Sequence, residues 1–195
     1  NLNVEIWMSL LQRLKLPVSI NNKQNERYTS SSMKLNNQKE GKTFTTQGDE
    51  TFNGIIKYLS DKSNGNILNE IEITSSSVCK GNEPIKATLF DDFNSYFHTN
   101  SENDSFICYD FKDKRVILTH YQLRSGPWYK NAHNPKNWVI EASNDNKKWE
   151  IIDEQKDCEI INGKSIAHLF PISNSNSKEF RYVRMRQNGI NCAGG

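Results

Sequence analysis

Phe106-Ile107-Cys108-Tyr109-Asp110-Phe111-Lys112-Asp113-Lys114-Arg115-Val116-Ile117-Leu118-Thr119-His120-Tyr121-Gln122-Leu123 decides the fold class. Two β-branched and aromatic runs are divided by a charged three-residue turn, Lys112-Asp113-Lys114, which is the pattern of two strands returning on each other. The same texture recurs on both sides. Ile71 and Ile73 alternate with acids, and Trp138, Ile140 and Ala142 alternate with Val139, Glu141 and Ser143. The polar turn Asn144-Asp145-Asn146-Lys147-Lys148 then leads into Trp149-Glu150-Ile151-Ile152, predicting a hairpin. Residues 165–172 and 180–186 supply two further strands. Six or more short strands with turn signals between them, and no long helical period, predict an all-β antiparallel sandwich or barrel from Thr51 onward. In Arg181-Tyr182-Val183-Arg184-Met185-Arg186 the two-residue period puts Val183 and Met185 on the core side. Arg184 and Arg186 then project outward onto a solvated or salt-bridged face.

Upstream the texture changes. Trp7, Leu10, Leu11 and Leu14 fall on one helical face, so residues 2–16 read as a short amphipathic helix stopped by Pro17. So short a helix needs a partner for its apolar face, either a missing upstream helical region, with 1–20 as its tail (the preferred reading), or the sandwich itself. Residues 21–50 are dominated by Asn, Gln, Ser, Thr and Lys and read as a polar linker.

Composition narrows the function. The 195 residues carry 25 Lys+Arg and 23 Asp+Glu, a net charge of +2, without the basic excess of a nucleic-acid binder. No apolar run is long enough for a membrane span, and no signal peptide is visible. The chain opens on Asn1, which reads as a fragment of something longer. The four cysteines (Cys79, Cys108, Cys158, Cys192) form no zinc-type pairs, and their scarcity suits a reduced, cytoplasmic protein. The sequon Asn103-Asp104-Ser105 is a chance occurrence in so Asn- and Ser-rich a chain.

No catalytic constellation is present. There is no GxSxG, no HxH or HExxH spacing among His98, His120, His133 and His168, and no paired acids that a glycosidase would need. Asp91-Asp92 reads as a solvated turn, since the ligand spacing of a Ca²⁺ loop is absent. No cofactor is implied. The segment that stands out is 125–135, a loop holding Trp128 and Tyr129 side by side among turn-formers. Aromatics on a loop either bind something or fold back to plug the end of the sandwich.

The order of these pieces resembles the factor V/VIII type C, or discoidin, family of galactose-binding-like domains. The resemblance is carried by Glu72-Ile73-Thr74-Ser75-Ser76-Ser77, by Leu89-Phe90-Asp91-Asp92-Phe93-Asn94-Ser95-Tyr96-Phe97-His98-Thr99, and by Ser105–Lys112. It continues through Trp138–Asp145 with Trp149 and through Phe180–Arg186. The opening Phe52-Asn53-Gly54-Ile55-Ile56-Lys57-Tyr58-Leu59 is most similar to the intracellular version attached to BTB proteins. Two departures stand out. Cys79 and Cys192 do not sit where secreted members join the ends of the domain, and the family's closing strand is expected to be missing after Gly195.

The resemblance implies an antiparallel jelly-roll β-sandwich over 51–195, a non-catalytic module whose ligands meet loops 78–84, 94–101 and 125–135 at one end. The first two loops hold Lys80, Asn82, Glu83, Asn94, Ser95, Asn100 and Ser101, too polar for a membrane-inserting member. Trp128 and Tyr129 are the expected anchors, and Lys80, Asn82 and His133 the expected polar contacts. A protein partner is the leading expectation. Carbohydrate is the alternative, with an aromatic ring stacking on a sugar face.

Overall fold

The computed structural model describes residues 7–15, 41–44, 52–89, 92, 95–175 and 177–194. Its strands are β1 (Trp7–Lys15), β2 (Gly41–Thr43), β3 (Glu72–Ser75), β4 (Phe106–Asp110), β5 (Arg115–Arg124), β6 (Trp138–Ser143), β7 (Glu150–Gln155), β8 (Ala167–Pro171) and β9 (Tyr182–Gln187). One helix, α1 (Ile55–Lys62), precedes β3 and buries Ile55, Ile56 and Leu59. The strands form two antiparallel sheets, ordered β2-β1-β5-β8 and β3-β4-β9-β6-β7. The expected antiparallel sandwich is observed, including the β6–β7 hairpin.

The period-2 reading carries directly into the packing. Tyr109, Tyr121, Trp138, Ile140, Val183 and Met185 are all fully buried between the sheets. On the opposite face of β9, Arg184 and Arg186 both reach Glu141, at 2.6 and 2.9 Å, so the outward arginine row is salt-bridged. Burial alone would push the Glu141 carboxyl up, but the hydrogen bonds from Arg186 and Arg184 outweigh it and hold the group below its ordinary range. Arg184 also lies 3.9 Å above the Trp149 ring.

Two expectations about the N-terminal part are corrected. Residues 7–15 are a strand and not a helix: β1 pairs antiparallel with β5 along its whole length, with an irregularity between Leu11 and Gln12. A helix of this length is marginal in water, whereas the edge of β5 presents a row of backbone donors and acceptors that nine residues of ladder can satisfy. The polar linker is also interrupted. Gly41–Thr43 pairs with β1, and Phe44 is buried against Tyr58 of α1, with ring centroids 5.3 Å apart. The rest of the predicted linker, 21–40 and 45–50, lies outside the described residues, as do Asp91 and Asn94.

A buried hydrogen-bonded relay joins the sheets. The Trp138 indole N–H donates to the Tyr121 hydroxyl (3.0 Å), which donates to Asp153 Oδ2 (2.7 Å). Asp153 is 1 % exposed and accepts further bonds from the Gln155 amide and from the Ser173 backbone N–H and hydroxyl. Burial and the neighbouring Asp153 charge push the Tyr121 hydroxyl far above its usual range, so it remains a donor. Tyr121→Phe leaves the buried carboxylate one donor short and the indole N–H without its acceptor. The expected cost is about 2–3 kcal/mol in urea unfolding, and a loss under about 0.5 kcal/mol would show that water replaces the hydroxyl.

Candidate functional site

Strand direction gathers four connections at one end of the sandwich. These are the long β3–β4 segment (76–105), the β5–β6 loop (125–137), the β7–β8 loop (156–166) and the stretch after β9 (188–194). The β5–β6 loop carries Trp128 and Tyr129 and is braced from two sides. The Ser125 hydroxyl donates to the Gly163 carbonyl (2.6 Å), and the Ser165 N–H donates to the Gly126 carbonyl (2.8 Å). Asn162 accepts from the Asn131 N–H (2.7 Å) and donates to the Asn131 side-chain oxygen (2.9 Å). The Cys192 and Cys158 N–H groups donate to the Asn134 and Lys136 carbonyls. A loop held this way can present side chains with little ordering entropy left to lose on binding.

Those side chains face outward. Tyr129 is 79 % exposed and Trp128 41 %, so Trp128 does not plug the sandwich. Its ring meets Tyr96 edge-on, centroids 6.2 Å apart, and Tyr96 stacks on His98 at 5.7 Å. The Asn82 amide reaches His98 Nε2 at 3.0 Å, and His98 Nδ1 lies 3.2 Å from the Thr99 carbonyl. These partners assign a neutral imidazole, with Nδ1–H donating to Thr99 and Nε2 accepting from Asn82. The loops therefore converge on a small cluster, Trp128–Tyr96–His98–Asn82, with an aromatic side and a polar side.

The five residues expected from sequence are divided by this geometry. Trp128 and Asn82 lie in the cluster, and Tyr129 is next to it along the chain. His133 is half-buried and lies within electrostatic range of His98, with its own Nδ1 buried and unpartnered among the described residues. Lys80 is exposed in the turn before Gly81. Sequence reading missed Tyr96 and His98, which join the aromatic and polar parts, and Asn134, which is fully buried with neither end of its side-chain amide paired among the described residues. Thr99, Ser105 and Gln187 also carry buried, unpaired side-chain oxygens at this end. No group of three or more His, Cys, Asp or Glu positioned for a metal occurs among the described residues, and none of their helices is long and apolar enough to cross a membrane.

No protein-family model matches the chain, and no curated protein does. Solved structures do. One is a carbohydrate-binding module, CpGH89CBM32-5 from Clostridium perfringens, in complex with GalNAc-β-1,3-galactose. It superposes with a TM-score of 0.50 at 17 % identity, over 63 % of this chain and 86 % of that one. Another is CBM32-1 from a family 31 glycoside hydrolase of Clostridium perfringens, with a TM-score of 0.46 and 17 % identity over 63 % and 87 %. The antiparallel β-sandwich of this chain is the fold it shares with CpGH89CBM32-5.

Burial, chiefly, and the nearby His133 and Lys86 hold the His98 imidazole below its ordinary 6.5. A depressed histidine keeps its neutral-state contacts through neutral pH and loses them as pH falls through its folded value. The Asn82–His98 bond is therefore expected intact at pH 7 and broken in mild acid, below 6.5. An NMR titration of the His98 ring should show this midpoint, with the Asn82 side-chain amide shifting at the same pH. A His98 midpoint above 6.5 would contradict the assignment.

Proposed function

We propose that the chain is a non-catalytic carbohydrate-binding module that takes its sugar at the Trp128–Tyr96–His98–Asn82 loop end. The observation that carries this reading is the juxtaposition itself. Exposed aromatic rings on a braced loop stand beside an amide and a neutral imidazole. Sugar rings offer apolar C–H faces for such rings and hydroxyls for such donors and acceptors. The sandwich shared with a module seen bound to GalNAc-β-1,3-galactose supports the same reading. A protein partner, the leading expectation from sequence, ranks second, because an amide and a neutral imidazole beside aromatic rings match a polyhydroxylated ligand.

Glycans ending in galactose or N-acetylgalactosamine are the first probes. On an array and by calorimetry, the wild type is expected to bind at least one of them. Trp128→Ala is expected to weaken binding about tenfold or more, roughly 1.4 kcal/mol, with the thermal midpoint unchanged. Retained affinity in both Trp128→Ala and Tyr129→Ala would remove the site from this loop. A silent array together with capture of a defined protein by the same face would replace the sugar reading with the protein one.

A further inference from the structure

The opposite end of the sandwich holds a second concavity that the sugar reading does not use. It has a volume of about 580 Å³ and is lined by Lys112, Asp113, Arg115, Asn144, Glu179 and Arg181. Three connections build it: the β4–β5 turn, the start of the β6–β7 turn, and the approach to β9. Asn144 ties two of them together by accepting from the Arg181 N–H (3.0 Å) and donating to the Glu179 carbonyl (2.8 Å). Lys112 sits at φ +57 with its N–H on Asp110 Oδ1, which sets the turn.

The cations here are held in place with donors to spare. Arg115 donates through Nη1 to the Lys112 and Lys114 carbonyls, at 3.3 and 2.8 Å, and pairs with no carboxylate among the described residues. Its Nε and Nη2 are not used in those bonds. The Lys112 ammonium donates to the Leu68 and Asn69 carbonyls, at 2.8 and 3.3 Å, and likewise meets no acid there. Arg181 binds Asp110 through Nε and Nη2, at 2.7 and 2.8 Å, leaving Nη1 outside that pair. Of the two acids in the lining, Asp113 is paired with Lys114 at 3.2 Å. Carbonyls orient a cation without cancelling its charge, so Arg115 and Lys112 keep theirs in a lining that also holds Asp113 and Glu179. A guanidinium with free N–H groups matches the oxygens of a carboxylate or phosphate.

From these contacts we infer that this concavity is a second binding site, taking a small oxyanion, a carboxylate or phosphate group, on Arg115 and Lys112 with Arg181 at its wall. Two sources share that chemistry, a phosphate ester and the carboxylate of an acidic sugar. Amide-resolved NMR titration of the whole chain with inorganic phosphate and with glucuronate, against chloride at matched ionic strength, separates them. Saturable shifts are expected at Lys112, Asp113, Arg115, Asn144 and Arg181 for at least one oxyanion, and the tighter of the two names the source. Arg115→Gln is expected to weaken that binding about tenfold, Lys112→Gln to weaken it by less, and Trp128→Ala to leave it unchanged. Each variant's amide dispersion reports whether it is folded. Shifts that grow linearly with chloride as well, or saturation that survives in a folded Arg115→Gln, overturn the site. Because Trp128 lies at the other end, failure here leaves the sugar reading untouched, and the reverse is equally true.

Discussion

The Trp138–Tyr121–Asp153 relay is the constraint on which the rest of the molecule depends. Tyr121 belongs to the four-stranded sheet, and Trp138 and Asp153 to the five-stranded one, so a directional contact sets how the two layers meet. Apolar packing alone would tolerate small slides between them. A buried carboxylate does not tolerate them, because each donor lost leaves charge unsatisfied in a medium that solvates it poorly. Phe170 packs on both aromatic partners, stacked on Tyr121 at 5.2 Å and edge-on to Trp138 at 5.4 Å, which holds the rings in the orientation the relay needs.

That registration reaches the loops through short distances. Tyr121 is four residues from Ser125, where the braced loop begins, and Trp138 is the first residue of the strand where the loop ends. The β5–β6 loop therefore starts and finishes on strands locked to each other across the core. Its further ties to Asn162, Gly163, Cys158 and Cys192 make it an extension of the scaffold. Buried side-chain polar atoms without a partner among the described residues, those of Asn134 above all, also gather at this end.

The two ends differ in chemistry because their connections differ in composition. The cluster at the loop end combines the Trp128 and Tyr96 rings with the neutral groups of His98 and Asn82. The turn end is built from tight, charged turns in which backbone carbonyls hold arginine and lysine side chains in position. Between them, the outer face of the five-stranded sheet is closed by its own ion pairs, Glu141 with Arg184 and Arg186, and by Arg184 stacked on Trp149. Charge there is matched internally, whereas at the turn end Arg115 and Lys112 donate to carbonyls and pair with no carboxylate among the described residues.

Alternation within each run was enough to determine the sandwich, the β6–β7 hairpin and the sidedness of Arg184 and Met185, because a strand's period is a local property that needs no partner to be read. Trp128 and Tyr129 stood out for the opposite reason, as large rings in a loop with no period to assign them to a core. The strand at Trp7–Lys15 was not legible. Its leucines fit a helical face, and only the open edge of β5, more than a hundred residues away, makes the ladder the better outcome. Tyr96 and His98 were hidden for a related reason. They lie in a stretch without regular structure, and what they touch is decided by where the β3–β4 connection crosses the end of the sandwich. Sequence by itself determined the antiparallel sandwich and set Trp128 and Tyr129 apart in their loop. The tertiary structure alone decided which loops meet, because contacts between residues far apart in the chain depend on the registration of two sheets.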